Sequence, residues 1–252
     1  MARVKSSAKM KFFMYLAIDV SESMGWEVEN QPTPWESAQE GLQSIVESSL
    51  VRDAEIRQKC QLGIIAYNQS VQVKRRARDE ARFTEPKLPK PIGQTDFKTL
   101  FERLDEIVEA DMAYAFDQGW NAKIPAVYIL TDGQPYLGET EQSPQQYLPA
   151  VQRFHGHNFK RRYSADGSRE NYVRPIVVPF GFGQVPSPRA RDAALCSFAS
   201  PGMPAYVAED SSATGGAVKG ILDAIITSMV RSATSGAFMP ETPAGARQLN
   251  CP

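Results

Sequence analysis

The feature that most constrains the fold is an alternation of short, continuously apolar runs with segments of helical periodicity. Strands that are buried on both faces of a parallel sheet appear as continuous apolar runs, because helices cover both faces. The pattern therefore predicts an α/β fold with a doubly wound, mostly parallel central sheet and helices on both faces. The apolar runs of strand length are 12–18, 62–67, 126–130 and 176–180, and the amphipathic segments include 35–49, 97–108 and 217–230.

One strand is expected to run against the others. The short turn Asn68-Gln69-Ser70 follows the apolar run Leu62–Tyr67, and Val71–Lys74 comes directly after it. Two strand-like runs separated by a tight turn are typical of a hairpin. The sequence therefore predicts an antiparallel edge strand at 71–74.

The first helix carries a start signal. Thr33 can act as the N-cap, Pro34 occupies the first helical position, and Glu36 lies three residues after Thr33. This arrangement is typical of a capping box, in which the cap and the third helical residue satisfy each other's backbone N–H groups. We therefore expect the helix to begin at Pro34.

The 252 residues suggest one large domain or two small ones. The alternation of strands and helices continues without a break through 10–232, which we predict to be one domain. Residues 1–9 are expected to be a flexible N-terminus. Residues 233–252 are rich in Ser, Thr, Gly, Pro and Ala and are expected to be a flexible tail. The polar stretch 155–172 is interpreted as a surface insertion.

Composition excludes several functional classes. Lys+Arg is 28 and Asp+Glu is 29, so the net charge of -1 argues against a general nucleic-acid binder.

No apolar run approaches the ~18 residues of a membrane span. The basic start followed by Phe12–Ile18 resembles a signal peptide, but the run is short and Asp19 ends it. We expect no signal sequence, no membrane contact and a monomeric chain.

The cysteines bear on the compartment. Cys60, Cys196 and Cys251 are an odd, scattered set without metal-type spacing. Such a set indicates a reducing compartment and argues against a disulfide scaffold. We therefore predict a cytoplasmic protein in which Cys196 lies in the core.

Polar side chains follow the strands at the positions where a doubly wound sheet binds ligands. Asp19, Ser21 and Ser23 follow the first strand, and Asp132 follows the run 126–130. Thr95 precedes the second amphipathic helix. Ligands bind outside the carboxyl ends of such strands, and an all-oxygen set suits hard cations such as Mg²⁺, Mn²⁺ or Ca²⁺. The pattern predicts a site for a divalent cation, with Mg²⁺ favoured.

Together these residues resemble a known family. Asp19-x-Ser21-x-Ser23, then Thr95, then Asp132 in a Thr-Asp-Gly turn is similar to the metal-ion-dependent adhesion site of von Willebrand factor A domains. The resemblance covers about residues 10–232. The Leu-Thr-Asp-Gly-Gln-Pro turn and the Ser-rich end of the last helix further resemble bacterial cytoplasmic proteins of the tellurium-resistance TerY type.

The resemblance implies roles for the matched residues. Ser21 and Ser23 would bind the metal through their hydroxyls, and Thr95 would bind it directly or through water. Asp19 would bind the metal or hold its waters, and Asp132 would accept hydrogen bonds from those waters. A carboxylate from a partner protein would fill the remaining coordination position. Glu22 departs from the family, since many members have Gly there.

The function expected from this site is metal-dependent protein–protein interaction, without enzymatic activity. The resemblance implies an adaptor or scaffold in a bacterial stress-response or phosphorylation-linked system. One alternative is phosphoryl transfer or hydrolysis by Asp19, Asp96 and Asp132 around Mg²⁺. That alternative lacks a phosphate-cradling glycine loop and a nucleophile–base pair. A second alternative is an adaptor subunit of an AAA-type machine.

Charge patterning narrows the expected partner. Residues 19–55 are strongly acidic, with Arg52 as the one basic residue. A partner that presents a single Asp or Glu on a neutral or basic surface is therefore expected. The stretch 74–90 is basic, either as a solvated strand edge or as a docking surface for an acidic partner. His155 and His157 are interpreted as exposed loop residues rather than as a second metal site.

Overall fold

A computed structural model describes residues 9–27, 31–47, 53–79, 84, 86–133, 136–137, 140–162, 170–183, 187–209, 214–238 and 240–251. The strands are β1 (Met10–Asp19), β2 (Cys60–Tyr67), β3 (Val71–Arg75), β4 (Asn121–Ala122), β5 (Ala126–Thr131), β6 (Tyr136–Leu137), β7 (Thr140–Glu141), β8 (Phe159–Arg162), β9 (Glu170–Val173), β10 (Ile176–Gly181), β11 (Tyr206–Ala208) and β12 (Ala246–Gln248). The α-helices are α1 (Pro34–Glu47), α2 (Ala54–Lys59), α3 (Phe97–Asp117), α4 (Pro144–Gly156), α5 (Pro188–Phe198) and α6 (Thr214–Ser235).

The central sheet has the strand order β12-β11-β10-β5-β1-β2-β3, with β4 also paired to β1. β1 lies between β2 and β5 and is parallel to both. β3 pairs antiparallel with β2 at one edge, as the sequence predicts, and β12 pairs antiparallel with β11 at the other. The predicted α/β fold with a mostly parallel sheet is confirmed.

The core lies on both faces of β1. Leu16 and Ile18 pack in one apolar cluster with residues of α1 and α6, while Tyr15 and Ala17 pack in a second cluster with residues of α3, α4 and α5. Successive side chains of a strand point to opposite faces, so a strand covered on both sides must be apolar throughout. This is why the run 12–18 has no polar residue.

The predicted capping box starts α1. The Glu36 backbone N–H donates to Thr33 Oγ1 at 3.1 Å, and the Thr33 N–H donates to Glu36 Oε2 at 2.8 Å. Pro34 is the first helical residue. Within the part of the chain that is described, no helix is long and apolar enough to cross a bilayer.

The C-terminal segment corrects the prediction of a flexible tail at 233–252. α6 continues to Ser235, and β12 extends the central sheet. Leu249 is buried, and its N–H donates to the Ala205 carbonyl at 2.8 Å. The edge of β11 would otherwise present unpaired backbone groups, and β12 covers them. Of the predicted flexible N-terminus, residues 1–8 lie outside the described residues.

The cysteines also correct the sequence interpretation. Cys196 in α5 and Cys251 form a disulfide with a Cα–Cα distance of 5.2 Å. Cys60 is the free cysteine, and its thiol donates to the Met229 carbonyl at 3.6 Å. The prediction against disulfides is wrong because residues 55 positions apart are brought together by the packing of β12 beside α5. With two of its three cysteines paired, the chain carries no cysteine signal for a reducing compartment.

The predicted insertion 155–172 contains a hairpin of β8 and β9, with residues 163–169 outside the described part. Phe159 is fully buried, and the His157 ring stacks on it at a centroid distance of 4.1 Å. His157 Nδ1 lies 2.6 Å from Asp105 Oδ1 in α3. His155 Nε2 lies 3.0 Å from the Phe198 carbonyl oxygen, and burial lowers the pKa of His155. Both histidines are half-buried packing residues rather than exposed loop residues.

Part of the basic stretch 74–90 is held against α3. The fully buried carboxylate of Asp111 accepts a hydrogen bond from Arg76 Nε at 3.0 Å and from the Ala77 N–H at 3.2 Å. Arg78 Nε lies 3.6 Å from the same carboxylate. These arginines neutralise a buried charge and fix the chain after β3. Residues 80–83 and 85 lie outside the described residues.

Candidate metal centre

The candidate site lies at the carboxyl edge of the two middle strands. Asp19 is the last residue of β1 and Thr131 is the last of β5. The parallel register pairs Ile18 with Leu130, so both strands end side by side. The loop before α3 reaches the same edge, because the Ile92 N–H donates to the Val20 carbonyl at 3.0 Å.

The first loop curves immediately after β1. The Ser21 N–H donates to Asp19 Oδ1 at 2.8 Å, and Ser21 Oγ lies 3.2 Å from Ser23 Oγ. Ser23 belongs to a short 3₁₀ helix, Glu22–Gly25, which begins directly after Ser21. The tight curve therefore brings the carboxylate and the two hydroxyls of this loop to one side.

The second loop contributes Thr95. Its hydroxyl donates to Asp19 Oδ2 at 3.2 Å, and the Thr95 side chain is buried. Asp96 caps α3 by accepting from the Thr99 N–H at 3.1 Å, and Gln142 Nε2 donates to the same oxygen at 2.8 Å. Because Asp96 fulfils the capping role, the Thr95 hydroxyl is directed to Asp19.

The third loop contributes Asp132 and a residue that sequence reasoning missed. The buried Thr131 hydroxyl donates to Asp19 Oδ2 at 2.8 Å and accepts from the Gly133 N–H at 2.9 Å. Gly133 has φ 79°, and a Cβ there would lie 2.3 Å from Arg191 Cγ, so the turn requires glycine. Thr131 is part of the Thr-Asp-Gly motif, but the motif alone does not reveal that the Thr131 hydroxyl contacts Asp19 in β1.

Burial of its carboxylates dominates the electrostatics of the site. Burial and, to a lesser degree, the negative charge of Asp132 together raise the pKa of Asp19 to about 7, against the opposing effect of the hydrogen bonds from Ser21 and Thr131. Asp19 is fully buried and Asp132 is 7% exposed. A divalent cation between such groups would offset both the desolvation and the repulsion.

The donor set fits a hard cation. Three hydroxyls and two carboxylates, all from predicted site residues, lie at this edge: Ser21, Ser23, Thr95, Asp19 and Asp132. Across the described ranges no cluster of three or more His, Cys, Asp or Glu side chains is placed to hold a metal. A site here would therefore depend on hydroxyl oxygens, which suit Mg²⁺, Mn²⁺ and Ca²⁺ better than soft metals.

Comparison with known proteins identifies the fold that carries these residues. Residues 14–134 match the family model of the von Willebrand factor type A domain. The chain has the von Willebrand factor type A fold. The matched segment of the domain contains every predicted site residue, from Asp19 to Asp132. No curated protein sequence matches the chain.

Two solved structures illustrate how widely this type A fold is shared. Proximal thread matrix protein 1 from the mussel byssus, with a zinc-occupied MIDAS motif, superposes with a TM-score of 0.52 at 13% identity, covering 88% of this chain and 48% of its own. A mutant of the PilB minor pilin from Streptococcus sanguinis superposes with a TM-score of 0.51 at 10% identity, covering 91% of this chain and 64% of its own. The chain thus spans about half of the mussel protein, and the likeness is one of fold.

Replacing Thr131 with Val tests the support of Asp19. The variant removes the donor to Asp19 and leaves the buried Gly133 N–H without its acceptor, which costs about 1–3 kcal/mol of unfolding free energy. We expect weaker binding of Mg²⁺ and a lower midpoint of denaturation, measured by calorimetry and urea unfolding. Thr131→Ser keeps the hydroxyl and is the matched control. Wild-type stability and affinity in Thr131→Val would show that this hydroxyl does not support the site.

Proposed function

We propose that this chain is a divalent-metal-dependent protein-interaction module. Its metal centre would be a metal-ion-dependent adhesion site formed by Asp19, Ser21, Ser23, Thr95 and Asp132. The observation that carries the proposal is the convergence of hydroxyls from separate loops on the buried carboxylate of Asp19. Mg²⁺ is the proposed cation, and Mn²⁺ and Ca²⁺ would suit the same oxygen donors.

The chemistry of such a centre favours an outside carboxylate. The hydroxyl ligands are neutral, and Asp132 would act through metal-bound water rather than on the ion itself, so the exposed side of the cation can still attract a further anion. An Asp or Glu of a partner protein would supply that anion in a partly buried setting, where charge-assisted contacts are strong. Residues of this chain hold the cation and exclude water from one side, while the partner completes the coordination.

The surroundings of the site support binding rather than catalysis. Asp96, which a hydrolytic mechanism would recruit, is engaged in capping α3 through the Thr99 N–H and Thr99 Oγ1. His155 and His157 contact Phe198 and Asp105 instead of a site hydroxyl. We propose on these grounds that the hydroxyls act as ligands, because none is seen next to an imidazole base in the described structure.

The cellular setting is proposed from the sequence resemblance. That resemblance would make the chain an adaptor in the bacterial cytoplasm, in a tellurium-resistance-like or phosphorylation-linked system. The Cys196–Cys251 disulfide favours an oxidising compartment instead, because cytosolic thiols are kept reduced. Thiol labelling of the protein in acid-quenched lysates of its native host distinguishes these settings. Labelling of Cys196 and Cys251 would indicate a reducing compartment, and their protection from the label would indicate an oxidising one.

Metal-dependent capture of a partner tests the proposed function. We expect calorimetry to show one site for Mg²⁺ or Mn²⁺. We also expect capture of a native-host protein that disappears in EDTA and with Thr95→Ala. Circular dichroism should show an intact fold in both cases, because the core lies on the faces of β1 and not at the metal. A partner that binds equally well in EDTA would contradict the proposal, as would metal-dependent turnover of a phosphate ester that Asp132→Ala abolishes.

A further inference from the structure

We propose that an apolar rim, formed by Trp26, Pro91 and Ile92, borders the metal centre and binds a large apolar side chain next to the carboxylate of the partner. The inference rests on the proposed function and adds to it the class of partner segment. It predicts recognition of a short motif, with a carboxylate for the metal and an aromatic or aliphatic side chain for the rim.

The first observation is exposure. Trp26 is 57% exposed and Ile92 is 68% exposed. Single exposed apolar residues are common, but a cluster of them beside a polar site is typical of an interaction surface. The other large apolar side chains exposed among the described residues are Ile124, at 38%, and Tyr172, at 55%.

The second observation is that the rim is attached to the metal-binding loops. The Trp26 N–H donates to the Ser23 carbonyl at 3.2 Å, and the Glu22 N–H donates to the Gly93 carbonyl at 2.9 Å. Gly25 in the first segment also lies close to Pro91 in the second, because a Cβ added to Gly25 would lie 3.2 Å from Pro91 Cβ. The segments that carry Trp26 and Ile92 therefore lie against each other, directly beside the loop of Ser21 and Ser23.

The third observation is that the rim is held in place. Met24, a residue of the 3₁₀ helix that precedes Trp26, is fully buried and anchors that helix. Asn68 Nδ2 donates to the Ile92 carbonyl at 2.8 Å, and the Ile92 N–H is bonded to Val20. A surface that is already ordered loses little conformational entropy on binding, so its apolar area contributes directly to affinity.

Charge decides the flanks of the motif. Glu22, the first residue of the 3₁₀ helix, and Glu27, two residues after its end, are both exposed. They would repel further acidic residues of a partner and attract basic ones, which complements the single carboxylate that the metal requires. The partner segment therefore has one Asp or Glu, a large apolar residue within a few positions, and neutral or basic flanks.

A matched control surface lies elsewhere on the domain. Ile124 and Tyr172 line a cleft of about 620 Å³, together with His155, Pro175 and Met203. Ile124 precedes β5 and Pro175 precedes β10, whereas the metal centre follows the ends of β1 and β5. Tyr172→Ala thus removes an exposed aromatic side chain of similar size without touching the rim.

The test uses a displayed library of short random peptides with a fixed central Asp, which is selected for binding to the protein in the presence of Mg²⁺. A second library, with Asn at the same central position, is the control for the carboxylate. Wild type and Tyr172→Ala are expected to enrich peptides with an aromatic or aliphatic residue near the Asp and with few acidic flanks. Affinity of an enriched peptide should fall about tenfold or more with Trp26→Ala or Ile92→Ala, as for a central interface side chain. Calorimetry should show unchanged Mg²⁺ affinity in both variants.

The outcomes separate the rim from the proposed function. Enrichment that depends on Asp and Mg²⁺ without an apolar preference would overturn the rim and leave the proposed function standing. So would full peptide affinity in Trp26→Ala and Ile92→Ala. Equal results from the Asp and Asn libraries, or binding that persists in EDTA, would overturn the proposed function and the rim together. Thermal unfolding of each variant confirms that it is folded.

Discussion

Replacing Asp19 with Asn is expected to abolish the binding of divalent cations and to leave the fold intact. Asp19 is fully buried and accepts hydrogen bonds from the Ser21 N–H and the Thr131 hydroxyl, both at 2.8 Å. Asn has the same shape and keeps an acceptor for Ser21, but it lacks the charge. A charge beside a cation is worth about 3 kcal/mol or more in a partly buried site, which is about a 100-fold loss of affinity.

Without metal, the same variant should be at least as stable as wild type. Asp19 and Asp132 repel each other in the buried site, and this repulsion, added to burial, raises the pKa of Asp19. Removing one charge removes the repulsion. We therefore expect the thermal midpoint in EDTA to stay the same or rise, and the rise in midpoint that Mg²⁺ causes in wild type to vanish.

Calorimetric titration with Mg²⁺ and Mn²⁺ and thermal unfolding with and without metal measure both effects. Asp223→Asn, which changes an exposed carboxylate in α6, is the matched control. Wild-type affinity in Asp19→Asn would place the metal elsewhere. A large loss of stability in EDTA would show that the Asp19 charge serves the fold rather than a cation.

Breaking the Cys196–Cys251 disulfide is expected to have the largest effect on stability. The bond joins residues 55 positions apart, and closing a loop of that size in the unfolded chain is worth about 4 kcal/mol. Its loss also frees the end of the chain that carries β12. We expect reduction by a dithiol, or the double change Cys196→Ser and Cys251→Ser, to lower the guanidinium midpoint substantially.

Cys60 provides the control for this experiment. Burial raises the pKa of its thiol to about 12, so the thiol stays protonated and slow to react below that pH. Cys60→Ser should change the midpoint little, and its sensitivity to the dithiol should match that of wild type. Equal midpoints before and after reduction would contradict the prediction. So would labelling of all three cysteines in unreduced, denatured protein.

The C-terminal strand also contacts the support of the metal loop. Arg247 in β12 donates to Asp192 Oδ2 at 3.2 Å, and Asp192 Oδ1 accepts from Arg191 Nε at 3.0 Å. Arg191 packs against Gly133, next to Asp132. We therefore expect reduction of the disulfide to weaken Mg²⁺ binding as well, by less than Asp19→Asn does, because no ligand is removed.

The fold could be predicted where the signal is local. The run 12–18 is apolar throughout because both of its faces are covered, and that requirement alone marks β1 as a central strand. The start of α1 follows from Thr33, Pro34 and Glu36, which act within one helical turn. The small residues of 233–252 carry no such signal, since β12 is stabilised by its neighbour β11 and by the disulfide.

The sequence by itself predicted which polar residues meet at the sheet edge. Asp19, Ser21 and Ser23 follow one strand and Asp132 follows another, and parallel strands end at the same edge, so their meeting follows from topology. Tertiary structure decided the rest: the bond from Thr131 to Asp19, the pairing of Cys196 with Cys251, the contact of His157 with α3, and the approach of Gly25 to Pro91. Each of these joins segments distant in sequence. Such contacts depend on how helices and loops pack over the sheet, and periodicity or spacing within one segment carries no record of that packing.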